Sequence, residues 1–194
     1  MADLNIEVTY FEKGGPENTD KALEIAKKYA DQFGIKDIIL ASTRGTTAEK
    51  ALNVFNLDTF NVVVITHAYY FTGSKLRQEF LEDKMEELKK KGLKFHCGTH
   101  SMSGIERGIR LKKEAWQFVD LLAKILGSQF SQGVKVCIEI ACTTVDAGLI
   151  PDLDRDVICI GGTGRGADTV CLIKPVPTSE FKDLRVKAIL AKPL

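Results

Sequence analysis

Short apolar runs alternate with amphipathic stretches along most of the chain. Runs such as Ile38-Ile39-Leu40 and Val62-Val63-Val64-Ile65 are apolar at consecutive positions, the pattern of strands buried on both faces. Strands are expected over residues 4–11, 37–41, 61–66, 93–97, 134–141 and 156–160, with two final strands over 169–174 and 184–191. Capping residues in the stretch Pro16-Glu17-Asn18-Thr19-Asp20 announce a helix. Its inner face is Ala22, Leu23, Ala26, Tyr29, Ala30 and Phe33, and Gly34 is its stop. A second helix carries Ala48, Ala51, Leu52 and Phe55. A third, over 75–91, turns Leu76, Phe80, Leu81, Met85 and Leu88 inward and ends at Gly92. A long helix is expected over 114–130. Strands alternating with amphipathic helices predict a single α/β domain spanning 1–194, with a mostly parallel sheet covered on both faces.

The bulk numbers agree and narrow the function. At 194 residues, 44% hydrophobic and 27% charged, the chain can bury a core without disulfide or metal staples. The net charge is +1 and the basic residues are dispersed, which argues against nucleic acid as a partner. No apolar run reaches the ~18–20 residues of a membrane span, and the N-terminus lacks a signal-peptide pattern. No membrane partner is therefore expected, and the cytoplasm is the expected location. Cys97, Cys137, Cys142, Cys159 and Cys171 form no CxxC pair, so no metal is expected and buried free thiols are the reading. Exposed apolar edges on the last strands would allow a homo-oligomer.

Ligands of open parallel sheets bind beyond the carboxyl ends of the strands, so the residues leaving each strand are the candidates. They are Ser42, Thr43, Arg44, Gly45, Thr46 and Thr47; Thr66 and His67; Thr99, His100 and Ser101; Cys142, Thr143 and Thr144; and Gly161, Gly162, Thr163, Gly164, Arg165 and Gly166. The 42–47 loop opens a helix with hydroxyls and a glycine, either an anion cradle or an ordinary N-cap. The 161–166 loop fails the dinucleotide fingerprint, because no long helix follows, yet its glycines and Arg165 suit an anion. His67 and His100 are the two catalytic candidates, as acid or base. The His96–His100 spacing lies on a strand end and does not make a metal pair. Glu139 falls in an apolar run and needs partners or a polar face. A Ser42, His100, Asp146 triad can be drawn without any nucleophile-elbow motif behind it.

The stretch Ile38 to Ala48 resembles the effector-phosphate loop of the pyruvate kinase C-terminal domain, and Gly164 to Val170 resembles that domain's glycine-rich loop. The whole chain is more similar to a small stand-alone family with that fold. It shares motifs at Gly15-Pro16-Glu17-Asn18-Thr19, at 42–48, 99–107 and 136–140, and at 161–169. The resemblance implies a three-layer α/β/α fold and a flavin mononucleotide (FMN) site. Phosphate would lie on Ser42, Thr43, Gly45, Thr46 and Thr47; His67, Thr99, His100, Ser101 and the 162–166 loop would line the remainder. The barrel domain carrying pyruvate kinase's metal and catalytic residues is absent, so that activity is not implied. Arg44 departs from the hydroxyl common in the kinase loops. Three functions follow in order: an FMN-binding protein of undefined activity or flavin-dependent oxidoreductase, a non-catalytic sensor of a small phosphorylated ligand, and a hydrolase using a strand-end histidine.

Overall fold

A computed structural model describes residues 4–73, 75–112 and 115–194. The apolar runs pair into one mixed sheet of β1 (Thr9–Phe11), β2 (Asp37–Ala41), β3 (Asn61–His67), β4 (Lys94–Gly98), β5 (Val157–Gly161), β6 (Thr169–Lys174) and β7 (Arg185–Pro193). Their order is β1-β7-β6-β5-β2-β3-β4. Only β6 runs opposite to the rest, antiparallel to both β5 and β7. The helices are α1 (Thr19–Phe33), α2 (Thr46–Leu52), α3 (Glu82–Lys90), α4 (Ile105–Leu111), α5 (Phe118–Gln129) and α6 (Gln132–Asp146).

Consecutive strand residues point to opposite faces, so each run feeds two cores. Ile38, Leu40, Val62, Val64, Ile158 and Ile160 pack against α1, α2 and α3. Ile39, Val63, Ile65, Val157, Cys159 and Ile173 pack against α5 and α6. The protein is thus a three-layer α/β/α fold. Four of the five cysteines are buried free thiols, and Cys97 is half-buried.

The structure departs from the pattern-based expectation in five places. Residues 134–141 form part of α6 rather than a strand. Val134-Lys135-Val136-Cys137-Ile138-Glu139-Ile140-Ala141 alternates well enough to suit period two, yet the helix is walled in on nearly every side. Enclosure buries both the strand-like and the helix-like positions, which removes the usual amphipathic signature. Residues 75–81 do not join α3, because the buried Gln78 side chain ties them back to the end of β3. Its Nε2 donates to the His67 carbonyl at 2.9 Å, and its Oε1 accepts from the Glu79 N–H at 2.7 Å. Leu76 and Leu81 consequently face solvent. Only Thr9–Phe11 of the first expected strand pairs, since β7 offers it a short register. Helix α4 was not anticipated, and α5 begins at Phe118; Glu114, where that helix was expected to start, lies outside the described residues. Finally, β6 and β7 are interior strands, so the sheet's edges are β1 and β4. Several exposed apolar side chains lie instead on α4 and α5, among them Ile105, Leu111, Phe118 and Ile125.

One buried carboxylate fixes the loop between β5 and β6. Asp168 accepts from the N–H groups of Gly15 and Thr163, both at 3.0 Å, and from the Thr169 hydroxyl at 2.8 Å. It therefore joins the glycine-rich loop to the segment before α1. Asp168→Ala would leave these buried donors unsatisfied, at about 1–3 kcal/mol each before relaxation. A loss of about 3 kcal/mol in urea-unfolding free energy is expected, with the 162–166 loop becoming protease-sensitive before the rest.

Candidate functional site

Helix α2, following β2, covers one face of the sheet, whereas α6, preceding β5, covers the other. The carboxyl ends of β2, β3, β4 and β5 open between these layers into a cleft of about 560 Å³. It lies where an open α/β sheet is expected to bind ligands.

The loop after β2 forms the first wall. The Ser42 N–H donates to the Ile65 carbonyl at 3.0 Å, and the Ser42 Oγ accepts from the Gly45 N–H at 3.2 Å. Gly45 has φ 100°, and a Cβ there would lie 3.0 Å from the Phe80 ring. It shapes the turn from behind, while Ser42, Thr43, Arg44, Thr46 and Thr47 line the cleft. Helix α2 starts without a side-chain cap, so its first N–H groups keep free donor capacity toward the cleft. Gly162, Gly164, Arg165 and Gly166 contribute from the β5 exit. Thr163 does not, because its N–H is committed to Asp168.

The β3 and β4 exits form the floor with Thr66, His67, Thr99 and His100. Thr66 is 3% exposed, and its Oγ1 has no hydrogen-bond partner among the described residues. His67 Nδ1 lies 2.6 Å from the Glu79 carboxylate. Burial pushes the His67 imidazole below its ordinary range; Glu79 opposes this, and His100 and Arg107 add to it. His67 is therefore neutral near pH 7. The Phe71 ring stacks on His100 at 4.9 Å and lies 4.1 Å from His67, forming an aromatic cluster. Ser101 faces away: its hydroxyl donates to the Glu139 carbonyl at 3.3 Å and borders a neighbouring hollow with His96.

Of the opposite wall, the sequence pointed only to Glu139 and Thr143. Arg107 and Arg110 come from α4, Lys124 from α5, and Gln132, Lys135, Glu139 and Thr143 from one face of α6. Cys142, Thr143 and Thr144 thus belong to the C-terminal part of α6 rather than to a strand exit, with only Thr143 reaching the cleft. A legible signal was present: Ser131, three residues before Val134, is an N-cap, and Lys135 and Glu139 stand one helical turn apart. The Glu139 carboxylate bonds Lys135, accepts from the Met102 N–H at 3.1 Å and lies 3.4 Å from His100 Nδ1. Burial alone would favour its neutral form, but His100 and Lys135 outweigh that and hold its pKa at about 2. Cys142 is its opposite: burial, then Asp146 and Glu139, push the thiol up to about 12, so it is unreactive at neutral pH.

The drawn triad does not assemble. The Asp146 carboxylate accepts from the Thr178 N–H and hydroxyl, His100 is oriented by Glu139, and Ser42 Oγ holds its own turn. Among the described residues no group of three or more His, Cys, Asp or Glu side chains could hold a metal ion. Nor is any helix there long and apolar enough to cross a membrane.

The electrostatic sum is positive. Among the described residues six cations line the cleft: Arg44, Arg107, Arg110, Lys124, Lys135 and Arg165. Arg110 pairs with Asp120 and Lys135 with Glu139, and no ion pair engages the other four among the described residues. Cations gathered with hydroxyls in a concave site can hold an anion, and the aromatic cluster can hold a planar group beside it. No protein-family model matches the chain.

Glu139→Gln should cost about 3–5 kcal/mol, because it strands the Lys135 ammonium in a buried position. The pH dependence has a definite sign. The folded carboxyl titrates at about 2, below its ordinary 4.5, so its stabilisation is fully present above about pH 4.5. That contribution disappears as pH falls toward 2. Urea unfolding of both proteins across this range should show their difference shrinking with acid.

Proposed function

We propose that this chain binds FMN, with the phosphate on the β2 and β5 exit loops. Ser42, Thr43, Thr46 and Thr47 would supply hydroxyl or backbone donors, and Arg44 and Arg165 the charge. His67, Thr99 and His100 would border the ring. The observation carrying this reading is the coincidence, in one cleft, of these two loops with an aromatic cluster and with Arg44 and Arg165, which no ion pair engages among the described residues. A planar, phosphorylated ligand matches both halves of that chemistry. The unpartnered Thr66 hydroxyl on the floor also suits a ligand with polar ring edges.

The flavin would supply redox chemistry when bound, making a flavin-dependent oxidoreductase the activity of first choice. The chain's own part is to bind and orient. His67, neutral near pH 7 and held by Glu79, offers one ring nitrogen to a proton at the cleft floor.

A visible absorption spectrum of the purified chain, before and after loading with FMN and removing the excess, tests the reading. A retained flavin band is expected. Arg44→Ala and Arg165→Ala, both at exposed positions, should leave the melting temperature unchanged. Each should weaken FMN about 3–10-fold, more at low salt. A protein that refuses FMN yet is stabilised against heat by a sugar phosphate would make it a metabolite sensor using the same loops.

A further inference from the structure

The four cations that no ion pair engages among the described residues stand on two different walls. Arg44 and Arg165 belong to the loops leaving β2 and β5, whereas Arg107 and Lys124 belong to α4 and α5. A phosphate monoester carries a charge of about −1.5 to −2 at pH 7, which Arg44 and Arg165 together offset. Arg107 and Lys124 then remain as surplus positive charge in a concave, partly desolvated site, where like charges repel more strongly than in open water.

Arg107 is also placed for recognition. Its guanidinium lies over the Phe71 ring at 4.5 Å. No hydrogen bond or ion pair engages its N–H groups among the described residues, and a guanidinium fork grips a carboxylate through two parallel hydrogen bonds. Phe71 in turn touches both His67 and His100. Gln132, at the start of α6, lines the same wall and adds an amide.

We propose that the wall formed by α4, α5 and α6 is a second anion site. It takes a small carboxylate-bearing ligand, separate from the phosphorylated one, and holds it against the His67–Phe71–His100 cluster through Arg107, with Lys124 at the rim. The inference rests on assigning the phosphate to the opposite loops. It adds the chemical class of the co-ligand: a small organic acid.

The test uses the full chain, saturated with FMN and then titrated by calorimetry with succinate, malate and 2-oxoglutarate. At least one should bind. Arg107→Ala should weaken it tenfold or more and Arg107→Lys by an intermediate factor, while FMN affinity stays within twofold. The chain has only three histidines, so ring NMR resolves His67. The bound acid should raise its titration midpoint, and Arg107→Ala should abolish that rise. Glu79, His100 and Arg107 are the charged or titratable groups acting on this ring. Three results would overturn the inference. None of the acids binds the loaded protein; Arg107→Ala leaves their affinity unchanged; or a flavin dinucleotide binds far more tightly than FMN through Arg107, placing both anions on one ligand. Failure of FMN itself would count against the flavin reading alone. Inorganic phosphate would then fill the loop wall, and the same acid titration would still judge the helical wall.

Discussion

Helix α6 can lie close against the sheet only because two glycines meet where it starts. A Cβ on Gly161, at the end of β5, would sit 2.6 Å from the Gly133 carbonyl, and one on Gly133 would sit 2.0 Å from the Thr169 hydroxyl. Any side chain at either place would push the helix off the strands. With that seat available, α6 crosses β5, β6 and β2 and packs Val134, Cys137, Ile138 and Ala141 into the second core. The opposite side of the same helix then has to border the cleft, which is why it carries Gln132, Lys135, Glu139 and Thr143. Burying this polar face is tolerable because Lys135 and Glu139 neutralise each other and Met102 and His100 fill the remaining capacity of the carboxylate.

Two buried carboxylates therefore divide the work of shaping the cleft. Asp168 holds the glycine-rich loop through backbone N–H groups and bears on position alone. Glu139 holds the loop after β4 through Met102, and it orients His100 at the same time. A third buried carboxylate, Asp120, pairs with Arg110 and fastens α4 to α5; the Asp120 N–H also donates to Glu106 at 2.8 Å. Among the described residues the Lys135–Glu139 and Arg110–Asp120 pairs consume both lining carboxylates and two of the cations, so the charge left facing the cavity is positive on both walls. The positive charge of the cleft is thus a consequence of how its walls are tied together.

Much of the fold was legible because parallel strands need both faces apolar. The runs at 37–41, 61–66 and 156–160 could hardly be anything other than interior strands, and β2, β3 and β5 occupy the middle of the sheet. Gly34, in the left-handed conformation at φ 66°, stops α1 where its hydrophobic face ends. The loop wall was legible for a related reason: short polar residues directly after buried strands have few structural uses. The 134–141 segment misled because an enclosed helix loses its polar stripe, and the 75–81 segment because Gln78 found a tertiary partner stronger than its helical neighbours. Arg107, Arg110 and Lys124 could not be picked out, since exposed basic residues on short helices look alike until the fold brings them to one place.

The sequence by itself determined the α/β class, most of the sheet, and the 42–47 and 162–166 loops. These follow from local periodicity and from turns that need particular residues. Only the tertiary structure decided how α6 is enclosed, that β6 and β7 lie inside the sheet, and that the second wall of the cleft is cationic. Those features depend on which surfaces meet across 30 or more residues of chain, and no local pattern of apolar and polar positions carries that information.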